Sequence, residues 1–255
     1  IESIHEITDK PCFKNKQIAI DGFTSIFSYI STNAIQWIQF GINNNHQKGL
    51  FIVFEGIDGS GKSTLLQLFQ QQPIQLYGKN ELFITTCEPT HIKWGKMFRD
   101  LCLTNNKSDP RIDCMLLALD RIEHSKEIEQ LIKEGNHVIS DRYVDSNVVY
   151  QSVYSNMSKN WIKMLNDNII QPDLIFIFDV DPEEALKRIQ TRNGDQNVKF
   201  EKLENLTKMR TEFLNLSELY FKTTYYIIIN TTNKSIPDIY QEITNIIQNY
   251  VIHKN

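Results

Sequence analysis

The stretch FIVFEGIDGSGKSTLLQLF, Phe51 to Phe69, decides how this chain is read. It opens as an apolar strand, turns through three glycines and closes with leucines and a phenylalanine at helical spacing. Between strand and helix, Gly56, Gly61, Lys62 and Ser63 satisfy the pattern G-x-x-x-x-G-K-[ST]. Glycines let successive backbone N–H groups converge on phosphate oxygens, and the next helix turns its positive end toward them. Lys62 would reach the outer phosphates, and the Ser63 hydroxyl would ligate Mg²⁺. A nucleoside triphosphate is therefore expected on the loop from Gly56 through Asp58, Gly59 and Ser60 to Thr64.

Outward from this loop the chain alternates strand-like and helix-like segments, as a parallel sheet covered by helices requires. Strands are expected at Leu50–Phe54, Glu81–Thr86, His137–Ser140, Leu174–Val180 and Tyr225–Ile229. Helices are expected at Lys62–Gln72, Ile92–Leu103, Arg111–Glu134 and Asp145–Ser152, then at Ser158–Asn168, Pro182–Thr191, Lys202–Phe221 and Ile236–Val251. The fold class is α/β, with one large domain from Gly49 onward.

Composition narrows the function classes. The 255 residues are 41% hydrophobic and 23% charged with a net charge of -4, so no overall basic surface invites polymeric nucleic acid. Cys12, Cys87, Cys102 and Cys114 share no zinc-type spacing and read as free thiols of a reducing compartment. No apolar run approaches the roughly 20 residues of a membrane span. An intracellular, cytoplasmic protein is expected.

Residues 1–48 stand apart as an extension of unknown role. The first residue is Ile1, which suggests a processed, truncated or internal start, and the acidic Glu2, Glu6 and Asp9 do not resemble a transit peptide. NNNHQKG, Asn43–Gly49, reads as a linker.

NKSD, Asn106–Asp109, matches the N-K-x-D pattern that reads guanine in GTPases. It stands between two helices and beside Pro110 rather than after a late strand, so it is read as a structural turn. A kinase acting on a nucleoside monophosphate makes a different demand. Two phosphate dianions must approach, so cationic side chains have to gather around one point. The attacking oxygen is already anionic, and positioning with charge neutralisation carries the catalysis.

SDRYVDSNVVYQ, Ser140–Gln151, begins at the C-terminal end of a strand, where α/β sheets hold ligands. Asp141 can hold Mg²⁺ through water and Arg142 can bind a phosphate, while Ser146, Asn147 and Tyr150 share one helical face. MLLALDRIEHSKEI, Met115–Ile128, sets Leu117 and Arg121 four apart, one to pack on a base and the other to bond its edge. In isolation either stretch would also read as a capped helix or as an apolar stripe with a solvated arginine. The inference rests on the set.

Together these segments resemble the thymidylate (dTMP) kinases. The matching stretches are FEGIDGSGKST, EPT at Glu88–Thr90, LLALDRIEH, SDRYVDSNVVYQ and PDLIFIFDVDPEEALKRI, followed by KFEKLENLTKMRTEFLNL. The resemblance implies a three-layer P-loop kinase fold with a five-stranded parallel sheet, and ATP with Mg²⁺ as co-substrate and metal. It implies that Asp58 contacts the acceptor's sugar and phosphate and that Glu88 and Pro89 border the acceptor. Arg142 and Arg99 would clamp the acceptor phosphate, and Arg121 and Asn147 would read the thymine edge. Tyr150 would lie against the deoxyribose. Lys187–Lys202 resembles a lid over ATP, with Arg188 on the nucleotide and Arg192, then Lys199, as the catalytic cation. A homodimer is implied as well.

Two departures from the family pattern stand out, at Leu117 and Cys87, and Gly59 marks the arrangement in which the lid supplies the catalytic charge. The base-stacking Phe is Leu117, which gives apolar contact without a ring. The arginine of the REP motif is Cys87. The position that holds a catalytic arginine in some members, directly after Asp58, is Gly59. Three readings therefore remain: a dTMP kinase, a related pyrimidine kinase with a broader acceptor range, and a non-catalytic nucleotide-binding module. The presence of Lys62, Ser63, Asp141 and Arg142 together argues against the third.

Overall fold

The strand ahead of the glycine loop is buried along its whole length, and this follows from its place in the sheet. The computed structural model describes residues 48–103, 108–193, 202–216 and 224–254. In it, β1 (Phe51–Gly56) is central and pairs in parallel with β5 (His137–Asp141) on one side and β6 (Leu174–Asp179) on the other. The outer strands are β4 (Phe83–Cys87), beside β5, and β7 (Tyr225–Asn230), beside β6. The order is β4-β5-β1-β6-β7, the five-stranded parallel sheet expected.

Alternate side chains of β1 enter two cores. Phe51 and Val53 join Ile175 and Ile177 on one face, whereas Ile52 and Phe54 join Phe176 and Phe178 on the other. Helix α1 (Lys62–Gln71) packs Leu65 and Phe69 into the second core, together with Ile239, Ile243 and Ile247 of α8 (Ile236–Lys254). The first core is covered by α3 (Pro110–Lys133), α4 (Val144–Ser155) and α7 (Leu203–Leu216). Burying each large apolar side chain contributes about 1.5–3 kcal/mol, so both faces of the sheet are strongly specified.

The structure adds features that were not expected. A two-stranded hairpin, β2 (Ile74–Leu76) with β3 (Lys79–Glu81), precedes β4. Its turn, Tyr77-Gly78, has positive φ at both residues (53° and 77°), the geometry that matches strand twist in two-residue hairpins. The expected helix at Ile92–Leu103 divides into α2 (Lys93–Phe98) and a π-helical turn at Arg99–Leu103. Helix α5 (Lys159–Leu165) follows α4 and α6 (Pro182–Asn193) follows β6, both where helices were expected. The Asp109 carboxylate caps α3 by accepting from the Arg111 N–H, the structural role expected for this end of NKSD.

Residues 1–47, most of the expected lid with Lys199, and residues 217–221 of the expected helix lie outside the described residues. Among the described residues, no helix is long and apolar enough to cross a membrane. Cys87 and Cys114 are free thiols there.

Candidate active site

Parallel register brings the functional segments to one end of the sheet. Phe54 lies opposite Asp141, and Asp141 lies opposite Cys87, so the loops after β1, β4 and β5 leave side by side. Two cavities open there. The larger, about 590 Å³, is lined by the glycine loop from Asp58 to Thr64 with Asp141, Arg142 and Arg188. The smaller, about 190 Å³, is more apolar and is lined by Leu117, Phe98 and Pro89 with Arg121, Asn147 and Tyr150. Asp58 and Arg142 belong to both walls.

In the larger cavity, the Lys62 ammonium donates to the carbonyls of Gly56 and Ile57, both at 2.9 Å, and to Ser60 Oγ at 3.1 Å. Burial, helped by the nearby Arg142 guanidinium, pulls its pKa down to about 8 against the pull of Asp141, Asp58 and Glu55. Ser63 donates its hydroxyl to Asp141 Oδ2 at 2.9 Å, and Asp141 Oδ1 is buried with no hydrogen-bond partner among the described residues. Arg188 donates to the carbonyls of Gly59 (3.2 Å) and Thr231 (3.0 Å), and pairs with Glu184. It ties the loop to the strand end across the sheet.

Arg142 is the junction. Its backbone holds φ at 73°, a conformation uncommon outside glycine and one that functional sites retain. Its guanidinium donates to Asp58 Oδ1 (2.6 Å), Ser146 Oγ (2.9 Å) and the Gly56 carbonyl (3.2 Å), and lies 4.9 Å over the Tyr150 ring. Tyr150 donates its hydroxyl to Asp58 Oδ2 at 2.9 Å. Burial alone would raise the Asp58 pKa; Arg142, Lys62 and the Tyr150 hydrogen bond more than offset it and hold the carboxyl below its usual value.

The smaller cavity has a hydrogen-bonded polar floor. Glu88, joined to Pro89 by a cis bond, accepts from Arg121 Nε (2.7 Å) and bonds the His124 ring (2.9 Å), whose other nitrogen meets Thr86 Oγ1 at 2.7 Å. Arg121 is 1% exposed. It also donates to Asn166 Oδ1 (2.5 Å), the Tyr143 carbonyl (3.2 Å) and Asn147 Oδ1 (3.4 Å). Four of its five N–H donors are thereby placed.

The structure thus gathers the loop residues, Asp141 and Arg188 around the first cavity. It gathers Glu88, Pro89, Leu117, Arg121, Ser146, Asn147 and Tyr150 around the second. Arg99 stands apart. Its guanidinium donates to the carbonyls of Pro89 and Thr90, bracing that turn from the π-helical segment. Arg192 lies in the last turn of α6.

Several residues escaped the sequence reading. Glu55, fully buried, accepts from the Tyr143 and Ser146 N–H groups (2.8 and 3.1 Å) and from Ser146 Oγ (2.5 Å). It caps α4 from another strand and so fixes the turn that carries Arg142. The signal was present, since an acid inside an otherwise apolar buried strand needs partners. Phe98 supplies an aromatic wall next to Leu117. Lys234, Ser235 and Ile236 complete the rim of the larger cavity.

Comparison with known proteins agrees with this geometry. A sequence model described as thymidylate kinase matches residues 54–243. A probable thymidylate kinase of Methanocaldococcus jannaschii is 36% identical over 78% of this chain and 96% of its own length. One from Methanococcus maripaludis is 40% identical over 77% of this chain and 94% of its own length. Among solved structures, thymidylate kinase from Candida albicans superposes with a TM-score of 0.67 at 22% identity, covering 79% of this chain and 92% of that one. This last likeness concerns the fold.

Proposed function

This chain belongs to the thymidylate kinase family, and from that premise we propose that it phosphorylates dTMP to dTDP with ATP, the two nucleotides meeting at Asp58 and Arg142. The observation that carries the reading is the shared wall. A cleft built on a phosphate loop and a smaller apolar cavity with polar walls have one ion pair in common. A γ-phosphate on the loop and an acceptor phosphate in the second cavity would both face Arg142.

The roles follow. Loop N–H groups and Lys62 hold the ATP phosphates, with Arg188 and Ser235 toward the nucleoside end. Arg142 neutralises the approaching phosphates, and Asp58 holds Arg142 and Tyr150 in place for the sugar and phosphate of dTMP. Leu117 and Phe98 enclose the base, while Arg121 and Asn147 present polar atoms to its edge. Arg99 acts by bracing Pro89. Arg192 and Lys199 would supply lid charge over the transferred group.

The residues present suit a divalent cation. Asp141 Oδ1 is a buried acceptor without a partner among the described residues, beside a hydroxyl on Ser63. Bound there, with Asp141 acting through water, Mg²⁺ would neutralise charge on the β- and γ-phosphates.

Residues 49–255 are assigned the reaction, and residues 1–48 remain an extension. A homodimer is supported by Ile112, Met115, Leu119 and Ile122, which form an exposed apolar stripe on α3. A cytoplasmic location is consistent with the free thiols Cys87 and Cys114.

ADP release measured with ATP, Mg²⁺ and, in parallel, dTMP, dUMP, dCMP, UMP and dGMP tests the proposal. Turnover with dTMP well above the rest supports it. Similar rates across pyrimidines favour the broader acceptor range that Leu117 motivates, and no acceptor-dependent release refutes the kinase reading for this protein.

A further inference from the structure

Asn166 belongs to no motif, yet it is 1% exposed and touches both residues assigned to the base. It follows α5 directly and lies 45 residues from Arg121 and 19 from Asn147. Its amide has only one workable orientation. Nδ2 donates to the Ile162 carbonyl at 2.7 Å, so Oδ1 must face the other way, where it accepts from Arg121 Nη1 at 2.5 Å.

That orientation propagates. The second Nδ2 hydrogen of Asn166 reaches Asn147 Oδ1 at 3.4 Å, and Arg121 Nη1 donates to the same oxygen at 3.4 Å. With its oxygen facing two donors, Asn147 turns its amide nitrogen to Gln151 Oε1, also at 3.4 Å. One backbone carbonyl, at Ile162, therefore fixes the donor and acceptor sense of three side chains in a row.

The sense matters because pyrimidines differ by it. Thymine offers a carbonyl oxygen at position 4 and an N–H at position 3; cytosine offers an amino group and a bare nitrogen there. A cavity that could rotate its amides would accept either edge, whereas one with fixed polarity leaves buried groups unpaired against the wrong base. We infer that Asn166, from behind the cavity wall, is a specificity-positioning residue: it holds the Arg121 guanidinium in place and sets which way the Asn147 amide is turned where the base would lie. The inference rests on the kinase reading above.

The test compares kcat/KM for dTMP with that for dCMP in the wild type, Asn166→Ala and Asn166→Asp, with the KM for ATP and Tm recorded for each. Asn166→Ala removes the lock. Asn166→Asp keeps the side-chain size and the acceptor for Arg121 but loses both donors, to the Ile162 carbonyl and to Asn147, and it decides the matter should the alanine variant not fold. The dTMP-to-dCMP ratio is expected to fall about tenfold or more in each folded variant, with the KM for ATP within about twofold. A merely structural role would lower Tm and leave the ratio within about twofold of wild type, and that result overturns the inference. If the wild type itself does not turn over dTMP, the functional reading fails first. If it is selective and the variants remain equally selective, only the role of Asn166 fails.

Discussion

Arg142 Nη2 stands 2.6 Å from Asp58 Oδ1, and both residues line both cavities. The two come from loops after adjacent strands, 84 residues apart in sequence. Asp58 also accepts from Tyr150, so one carboxylate orients a cation and an aromatic ring at the place where two phosphates would meet.

Replacing Arg142 by Lys keeps a charge but loses the fork that reaches Asp58, Ser146 and the Gly56 carbonyl together. kcat with dTMP is expected to fall about 10²–10³-fold, as when a single transition-state donor is lost, with the KM for ATP changed far less. Steady-state kinetics in both substrates check this. A drop below about fivefold would remove Arg142 from the reacting centre.

Lys62 gives the site a pH limit. Burial, with Arg142 nearby, lowers its pKa to about 8, so it is charged below that pH and neutral above it. The log of kcat/KM for ATP, which reports the free enzyme, should therefore bend downward above pH about 8. ATP favours the charged form, so the bend in kcat should lie at higher pH. Matching profiles for the two parameters would contradict this.

Phe98 is buried against Leu117 in the wall of the smaller cavity. Phe98→Ala should raise the KM for dTMP about tenfold, equivalent to about 1.4 kcal/mol, and leave the KM for ATP within about twofold. Isothermal titration with dTMP gives an independent reading. Unchanged affinity would place the base elsewhere.

Gly59 occupies the loop position where the family resemblance allows an arginine, and here the backbone forbids one. Its φ is +78°, and an added Cβ would lie 2.5 Å from the Ala185 carbonyl oxygen. Gly59→Arg should destabilise the protein by about 2–4 kcal/mol, visible as a lower Tm, and should not restore turnover to an Arg192→Ala variant. Rescue of that variant would mean that the loop tolerates the other arrangement.

Asp145 is buried in the first turn of α4, and burial followed by the Glu55 charge raises its pKa to about 8. The folded state then keeps a proton that the unfolded chain releases at its ordinary value of 3.8. Stability therefore falls as pH rises from about 4 to about 8. Asp145→Asn should flatten that fall and raise Tm by a few degrees at pH 8. Thermal melts across this range decide it, and an unchanged slope would sink the assignment.

Much of the fold was legible because its causes are local. The unbroken apolar run of β1, the glycine spacing and the apolar repeats of α1 and α8 are fixed by neighbours along the chain, so the sheet and the phosphate loop could be read directly. The hairpin at Ile74–Glu81 was missed because three-residue strands carry too little periodicity, although Gly78 marked its turn. Glu55 stands inside β1, where burial demands partners but nothing local names them. Its partners, Tyr143 and Ser146, lie 88 and 91 residues away.

By itself, the sequence determined which chemical groups are present and which of them share a loop, a strand end or a helix face. Tertiary structure alone decided what each group faces: Arg99 toward two backbone carbonyls, Arg121 between Glu88 and Asn166, and Arg142 toward Asp58. A guanidinium carries the same charge in every setting, and an amide can turn either way. Their roles are set by the acceptors that folding brings within hydrogen-bond distance from remote parts of the chain, and those distances have no local signature.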